Sequence, residues 1–106
     1  MKEELWIGLV NVKPLPQTPK ALGGAAGAWV NMVTWASDPE MYKAKAETAA
    51  ATHDVYVVEI EDSEPVAIRK SRFSVNDEIE DIISRVELNR DFILFGTFHE
   101  YPHETA

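Results

Sequence analysis

Residues 91–99 read Asp-Phe-Ile-Leu-Phe-Gly-Thr-Phe-His and form the most apolar segment in the second half of the chain. We predict a buried strand here, because alternate side chains of a strand point to opposite faces and both sets are apolar. The two faces would carry Phe92, Leu94 and Phe98 on one side and Ile93 and Phe95 on the other. A strand that is apolar on both sides must be covered on both sides, and the rest of the chain must supply that covering.

Two further strands are predicted in the first third of the chain. Residues 5–12 and 28–36 are short segments rich in β-branched and aromatic residues, and each has apolar side chains on both faces. Between them, residues 13–27 contain three prolines and three glycines, which exclude a helix or a central strand. This stretch predicts a long connecting loop, and loops of such length are usually functional or mobile.

A helix is predicted to follow the second strand. Ser37 and Glu40 have the spacing of a capping box, and the helix should continue to about Thr52. Its buried stripe is mostly alanine and consists of Tyr42, Ala46, Ala49, Ala50 and His53. Residues 55–61 then form a third strand. A strand, a helix and a strand joined by short loops predict that segments 28–36 and 55–61 are parallel.

The segment 66–73 has two interpretations. Its alternating charges suit an edge strand, whereas Pro65 suits the start of a short helix, and we favour the strand. Ser74 is predicted to cap the next helix. Four apolar residues recur there at helical spacing, namely Ile79, Ile82, Ile83 and Val86. Residues 100–106 are predicted to be a tail.

The order of these elements predicts a single α+β domain spanning residues 1–106. Without the first strand, the pattern is that of a ferredoxin-like βαββαβ sandwich, so the fold is predicted to be this sandwich with an additional N-terminal strand. We expect about five mainly antiparallel strands with both helices on one face. The other face would then be apolar and uncovered, which predicts a homodimer formed through it.

The net charge is −8, from 18 acidic and 10 basic residues. Nucleic-acid binding needs a basic surface, and docking on anionic membranes needs one too, so neither is expected. A basic protein is a compatible partner. There are no cysteines, which excludes disulfides, thiolate metal ligands and thiol catalysis. No segment resembles a signal peptide or a transmembrane helix, and a cytoplasmic location is expected by default.

His99 is the best candidate for a catalytic residue. It lies at the end of a predicted buried strand, and a histidine titrates near neutral pH, so it can act as a general acid or base. His99 and His103 are also metal-ligand types, but Pro102 rules out the helix that would bring both to one face. We therefore predict no metal site and no cofactor.

Candidate ligand-binding residues lie in the loop and the second strand. Gly23 and Gly24 belong to a loop that either connects two strands or covers a ligand, although it has no phosphate-binding motif. Trp29 and Trp35 give one strand an aromatic face that is suited to an interface or a ligand.

The sequence as a whole predicts a non-catalytic module that binds a protein or a small ligand. Two alternatives stay open. One is a small enzyme that uses His99 in a cleft at the dimer edge. The other is an acidic inhibitor, or immunity-type protein, that binds a basic partner through carboxylates such as Glu61 and Asp62.

Overall fold

The computed structural model describes residues 2–103 and confirms the α+β class. This part of the chain contains five strands and three helices. In chain order they are β1 (Glu4–Pro14), β2 (Gly27–Ala36), α1 (Pro39–Thr52), β3 (Val55–Pro65), α2 (Val66–Arg72), α3 (Asp77–Glu87), β4 (Ile93–Phe95) and β5 (His99–Tyr101). None of these helices is long and apolar enough to cross a membrane.

The sheet is antiparallel, and its strand order is β3-β1-β2-β4, with β5 also paired to β2. The ferredoxin-like order is not confirmed, because β1 lies in the middle of the sheet and is not an addition to its edge. Since β2 and β3 both run antiparallel to β1, they are parallel to each other, as predicted. They are not neighbours, however, because β1 separates them.

The central position of β1 follows from its side chains. Ile7 lies opposite Val33 on one face of the sheet, and Val10 lies opposite Val30 on the other. All four side chains are almost completely buried. A strand with two apolar faces is stable only where both faces are covered, and that requirement places β1 inside the sheet.

Helix α1 covers one face of the sheet, which we call the α1 face. Tyr42, Ala46 and Ala50 of the predicted stripe are fully buried there. Ala49 is only half-buried, and His53, which follows the end of the helix, is exposed, so the stripe is confirmed in part. The Tyr42 hydroxyl donates a hydrogen bond to the Met32 carbonyl at 2.8 Å, and burial raises the pKa of Tyr42 well above its usual value. Leu22 from the long loop is buried in the same cluster. The loop is therefore partly a covering for the core.

Helices α2 and α3 cover part of the opposite face, which we call the α3 face. The four predicted apolar residues of α3 are all buried against Ile7 and Val33. Each such side chain contributes about 1.5–3 kcal/mol relative to leaving it exposed. The expectation that both long helices share one face is therefore wrong. The argument for a dimer through an uncovered face loses its premise, and the dimer itself stays a prediction.

Both long helices begin one or two residues later than the predicted caps. Asp38, not Ser37, caps α1 by accepting a hydrogen bond from the Met41 amide at 2.8 Å. Asn76, not Ser74, caps α3 in the same way, with the Ile79 amide as donor at 2.9 Å. All four are residue types that favour this position, so the choice depends on where the chain turns.

The segment 66–73 is helical over Val66–Arg72, so the preference for an edge strand was wrong. Val66 is buried against the α3 face, while Ile68 is 48% exposed. Arg69 and Arg72 both reach back to the carboxylate of Glu64. The basic residues that suggested an edge strand therefore belong to a short helix, and two of them bind the last part of β3 through Glu64.

The predicted strand at 92–98 is divided into β4 and β5, and it lies at an edge of the sheet. The interruption falls at Gly96–Phe98, where the Gly96 amide donates to the Asn31 carbonyl and the Thr97 amide to the Glu78 carboxylate. Phe98 consequently lies with Phe95 on the α1 face. The predicted tail 100–106 is wrong in its first residues, because β5 includes Glu100 and Tyr101. Residues 104–106 lie outside the described part.

Gly8 gives a test of this packing, because its position leaves room for the Tyr42 hydroxyl. A Cβ atom on Gly8 would lie 2.9 Å from the Tyr42 oxygen and 3.1 Å from Ser63 Cα. We expect Gly8→Ala to lower the free energy of unfolding by about 1–3 kcal/mol, measured by urea denaturation. Tyr42→Phe removes the hydroxyl, so the double variant should lose at least about 0.5 kcal/mol less than the sum of the single losses. Additive losses would contradict this contact.

Candidate functional site

His99 lies on β5, directly opposite Trp29 of β2. Its side chain is exposed, and within residues 2–103 the imidazole makes no hydrogen bond. Hydrogen bonds from Thr97 lower the pKa of Glu78, and His99 adds a smaller contribution in the same direction. His99 does not line any of the pockets described below. A catalytic role for His99 stays a prediction that these contacts do not strengthen.

The other predicted site residues do not gather around His99. Trp29 is half-buried beside it, whereas Trp35 lies at the far end of β2 opposite Leu5. Gly23 and Gly24 are exposed and have positive φ angles of 64° and 92°, which glycine adopts without strain. Gly23 lines a pocket of about 280 Å³ with His53 and Phe98 on the α1 side of the sheet. The structure thus places the predicted residues at three separate points.

The feature that sequence reasoning missed is the outer edge of β3. In the described part of the chain, this eleven-residue strand pairs with β1 alone, so its other edge has no partner strand. Two bulges shape it, one at Val58 and one at Asp62–Ser63, where β3 has extra residues relative to β1. The opposite edge of the sheet consists of β4 and β5, which have three residues each. The long open edge is therefore on one side only.

The two faces of β3 differ in chemistry. Val57 and Ile60 pack on the α1 face, against the main core cluster. Glu59 and Glu61 lie on the α3 face, because they are paired with Asn11 and Leu9 of β1. Both glutamates are exposed. The edge thus has an apolar side and an acidic side.

A groove with both apolar and charged lining residues runs between α1 and β3. Its volume is about 390 Å³, and its lining residues are Pro39, Lys43, Glu47, Val57, Val58, Glu59, Ile60 and Ser63. Val58 and Tyr56 are each 44% exposed, and Val58 lines the groove. We call this site the β3 groove. It can hold side chains of a segment that lies along the strand edge.

The largest cluster of opposite charges lies at the other end of β3. Arg69 and Arg72 both contact the Glu64 carboxylate, and Arg69 also donates to the Asp62 carbonyl at 2.7 Å. Desolvation raises the pKa of Glu64, but the hydrogen bonds from Arg72 and the charges of both arginines outweigh it and hold the pKa below its usual value. A pocket of about 400 Å³ adjoins this cluster, with Asn31, Phe73 and Asn76 in its lining. Two guanidinium groups share one carboxylate here, and their contacts fix α2 to β3.

Glu78 is held in a similar way at the start of α3. Its carboxylate accepts hydrogen bonds from the Thr97 hydroxyl at 2.8 Å and the Thr97 amide at 2.6 Å, and these lower its pKa. Within residues 2–103, no group of three or more histidine, aspartate or glutamate side chains is arranged to hold a metal ion.

Searches with protein-family models, among curated proteins and among solved structures found no match to this chain.

The lowered pKa of Glu64 predicts how stability depends on pH. A carboxyl whose pKa is lower when folded contributes stability above its unfolded pKa, near 4.5, and loses it as the pH falls through the folded pKa. We expect Glu64→Gln to be less stable than the parent at pH 7, because the arginines lose their charged partner. Its stability should also fall less steeply below about pH 4.5, as measured by urea unfolding at several pH values. Parallel curves for the two proteins would contradict this role of Glu64.

Proposed function

We propose that this protein is a non-catalytic interaction module that binds an extended, basic segment of a partner protein along the outer edge of β3. One observation carries the proposal. A long strand edge that has no partner strand within residues 2–103 lies next to a groove that can hold side chains. Addition of a strand to an exposed sheet edge is a recurring mode of peptide recognition.

The backbone of β3 supplies the affinity in this mode. Alternate residues of a strand point their N–H and C=O groups to opposite edges, so half of those in β3 face away from β1. Such groups form a template for another strand. The bulge at Val58 bends the strand and interrupts this alternation within Val55–Glu61.

The side chains of β3 supply the specificity. A strand added beside β3 has one set of side chains on the α1 face, where they meet Val57 and Ile60 in the β3 groove. Its other set lies on the α3 face beside Glu59 and Glu61. Alternating apolar and basic residues satisfy both faces at once.

The same charges disfavour pairing of β3 with β3 of a second copy. Two such strands would bring Glu59 and Glu61 of both copies close together on one face, and like charges across strands are destabilising. The overall charge of −8 adds a longer-range repulsion between copies and an attraction for a basic partner. The same binding mode would also suit an acidic inhibitor that neutralises a basic partner.

Synthetic peptides test the proposal directly. We expect the capped peptide Lys-Val-Lys-Val-Lys to shift the NMR signals of Val55–Glu61 and of the groove residues in α1. The matched peptide Glu-Val-Glu-Val-Glu should not bind, because its carboxylates would lie beside Glu59 and Glu61. Two N-methylated forms of the basic peptide, one methylated at the valines and one at the lysines, distinguish strand addition from simple charge attraction. Only one of them should keep binding, because only alternate amides bond to β3.

Charge reversal in the protein provides the matched comparison. Glu59→Lys with Glu61→Lys should weaken binding of the basic peptide by at least about tenfold. Asp91→Lys with Glu100→Lys makes the same change in net charge near the opposite edge and should alter affinity by less than about twofold. Equal losses for the two pairs, or equal binding of both methylated peptides, would overturn the proposal.

A further inference from the structure

We infer that a second site exists between α2 and α3, and that it takes a small molecule with an apolar body and one protonated amine. The cleft lies over the end of the sheet where β1 begins, and its volume is about 320 Å³. Its lining residues are Glu4, Leu5, Trp35, Val66, Ala67, Lys70, Ile83 and Glu87. It shares no residue with the β3 groove, so the inference does not rest on the proposed function.

The interior of this cleft is apolar. Leu5 and Trp35 are directly opposite each other on β1 and β2 and form the floor. Val66 of α2 and Ile83 of α3 form the walls, and both are almost fully buried. Small-molecule sites typically occupy about 300–1,000 Å³ and have such a lining with a few polar groups at defined points. This cleft is at the small end of that range, which limits the ligand to roughly the size of a substituted benzene ring.

Trp35 is held in place before any ligand arrives. Its indole N–H donates a hydrogen bond to the Val86 carbonyl at 2.8 Å. The guanidinium of Arg90 lies 4.1 Å from the centre of the indole ring. These contacts use the polar edge of the indole and one approach to its ring, while the side chain remains only half-buried. An aromatic surface fixed in this way loses little freedom on binding, which favours affinity.

The charges at the rim decide which ligand fits. Glu4 and Glu87 are exposed on two sides of the cleft, and neither forms a salt bridge with another residue in the range 2–103. Lys70, the one basic lining residue, is already paired with Glu80 at 2.9 Å. Arg90, whose guanidinium lies 4.1 Å from the centre of the Trp35 ring, offsets one of these two carboxylates. The net charge around the cleft remains negative, and it favours a cation over an anion. A protonated amine attached to an apolar group satisfies both the rim and the interior.

Three probes of nearly equal size test this inference, and the protein's own tryptophan fluorescence and NMR signals report binding. They are 2-phenylethylamine, the neutral 2-phenylethanol and the anionic 3-phenylpropionate. We expect the amine to bind with at least about fivefold higher affinity than the alcohol and the anion to bind most weakly. The signals of Leu5, Trp35, Val66 and Ile83 should shift most. Preference for the anion, equal affinities, shifts elsewhere, or no binding at millimolar concentration would overturn the inference.

Two surface variants separate the charge from the cleft. Glu4→Gln with Glu87→Gln should reduce the affinity for the amine about fivefold and leave that for the alcohol unchanged. Ala67→Trp fills the cleft from an exposed helical position and should abolish binding of both, with circular dichroism confirming the fold. Glu100→Gln on β5, opposite Ala28 at the other end of β2, removes one carboxylate elsewhere and should have no effect. If the amine binds the Ala67→Trp variant as well as the parent, the cleft is not the site.

Discussion

The structure depends on the burial of β1 on both of its faces. Val10 and Val12 are fully enclosed on the α1 face, and Ile7 is enclosed on the α3 face. A strand of this kind needs a neighbour on each edge and a layer over each face. The chain meets the first need with β2 and β3, and the second with α1 on one side and α2 and α3 on the other. The later elements thus either pair with β1 or help to cover one of its faces.

The candidate sites are consequences of the same arrangement. β3 pairs with the edge of β1 that β2 leaves free, and no further strand pairs with β3 within residues 2–103. β3 is therefore an edge strand, and a groove lies between it and α1. Because α2 and α3 cover the other face in two pieces, a cleft remains between them over the paired residues Leu5 and Trp35. Edge strands are normally protected against unwanted pairing by charges and bulges, and β3 has both in Glu59, Glu61 and Val58. In our proposal these same features select the partner.

Sequence reasoning succeeded where a local pattern determines the outcome. The isoleucines of α3 repeat at helical spacing and are buried as predicted, and so are Ala46 and Ala50 of α1. It failed where the outcome depends on contacts between distant residues. The apolar pattern of residues 91–99 predicts one buried strand. Hydrogen bonds from Gly96 to Asn31 and from Thr97 to Glu78 instead divide that segment into two short edge strands. The apolar character of residues 5–12 on both faces was visible, and it was the signal that this strand is central.

The sites were less predictable than the fold. Trp35 was chosen for its aromatic character and does line a cleft, but Val86 and Arg90, which fix its ring, are distant in sequence. The open edge of β3 has no local signature, since a strand is an edge only by virtue of what does not pair with it. Arg69 and Arg72 looked like part of a strand because their bonds to Glu64 require a helix that local propensity alone does not specify.

Amide hydrogen exchange followed by NMR, on the protein without any ligand, tests the central position of β1 most directly. The account predicts slow exchange at consecutive amides through Trp6–Val12, apart from those at the bulges, because β1 is paired on both edges. It predicts alternating slow and fast exchange along Val55–Glu61 on either side of the bulge at Val58, because β3 is paired on one edge only. Alternating exchange in β1, or uniformly slow exchange in β3, would contradict it.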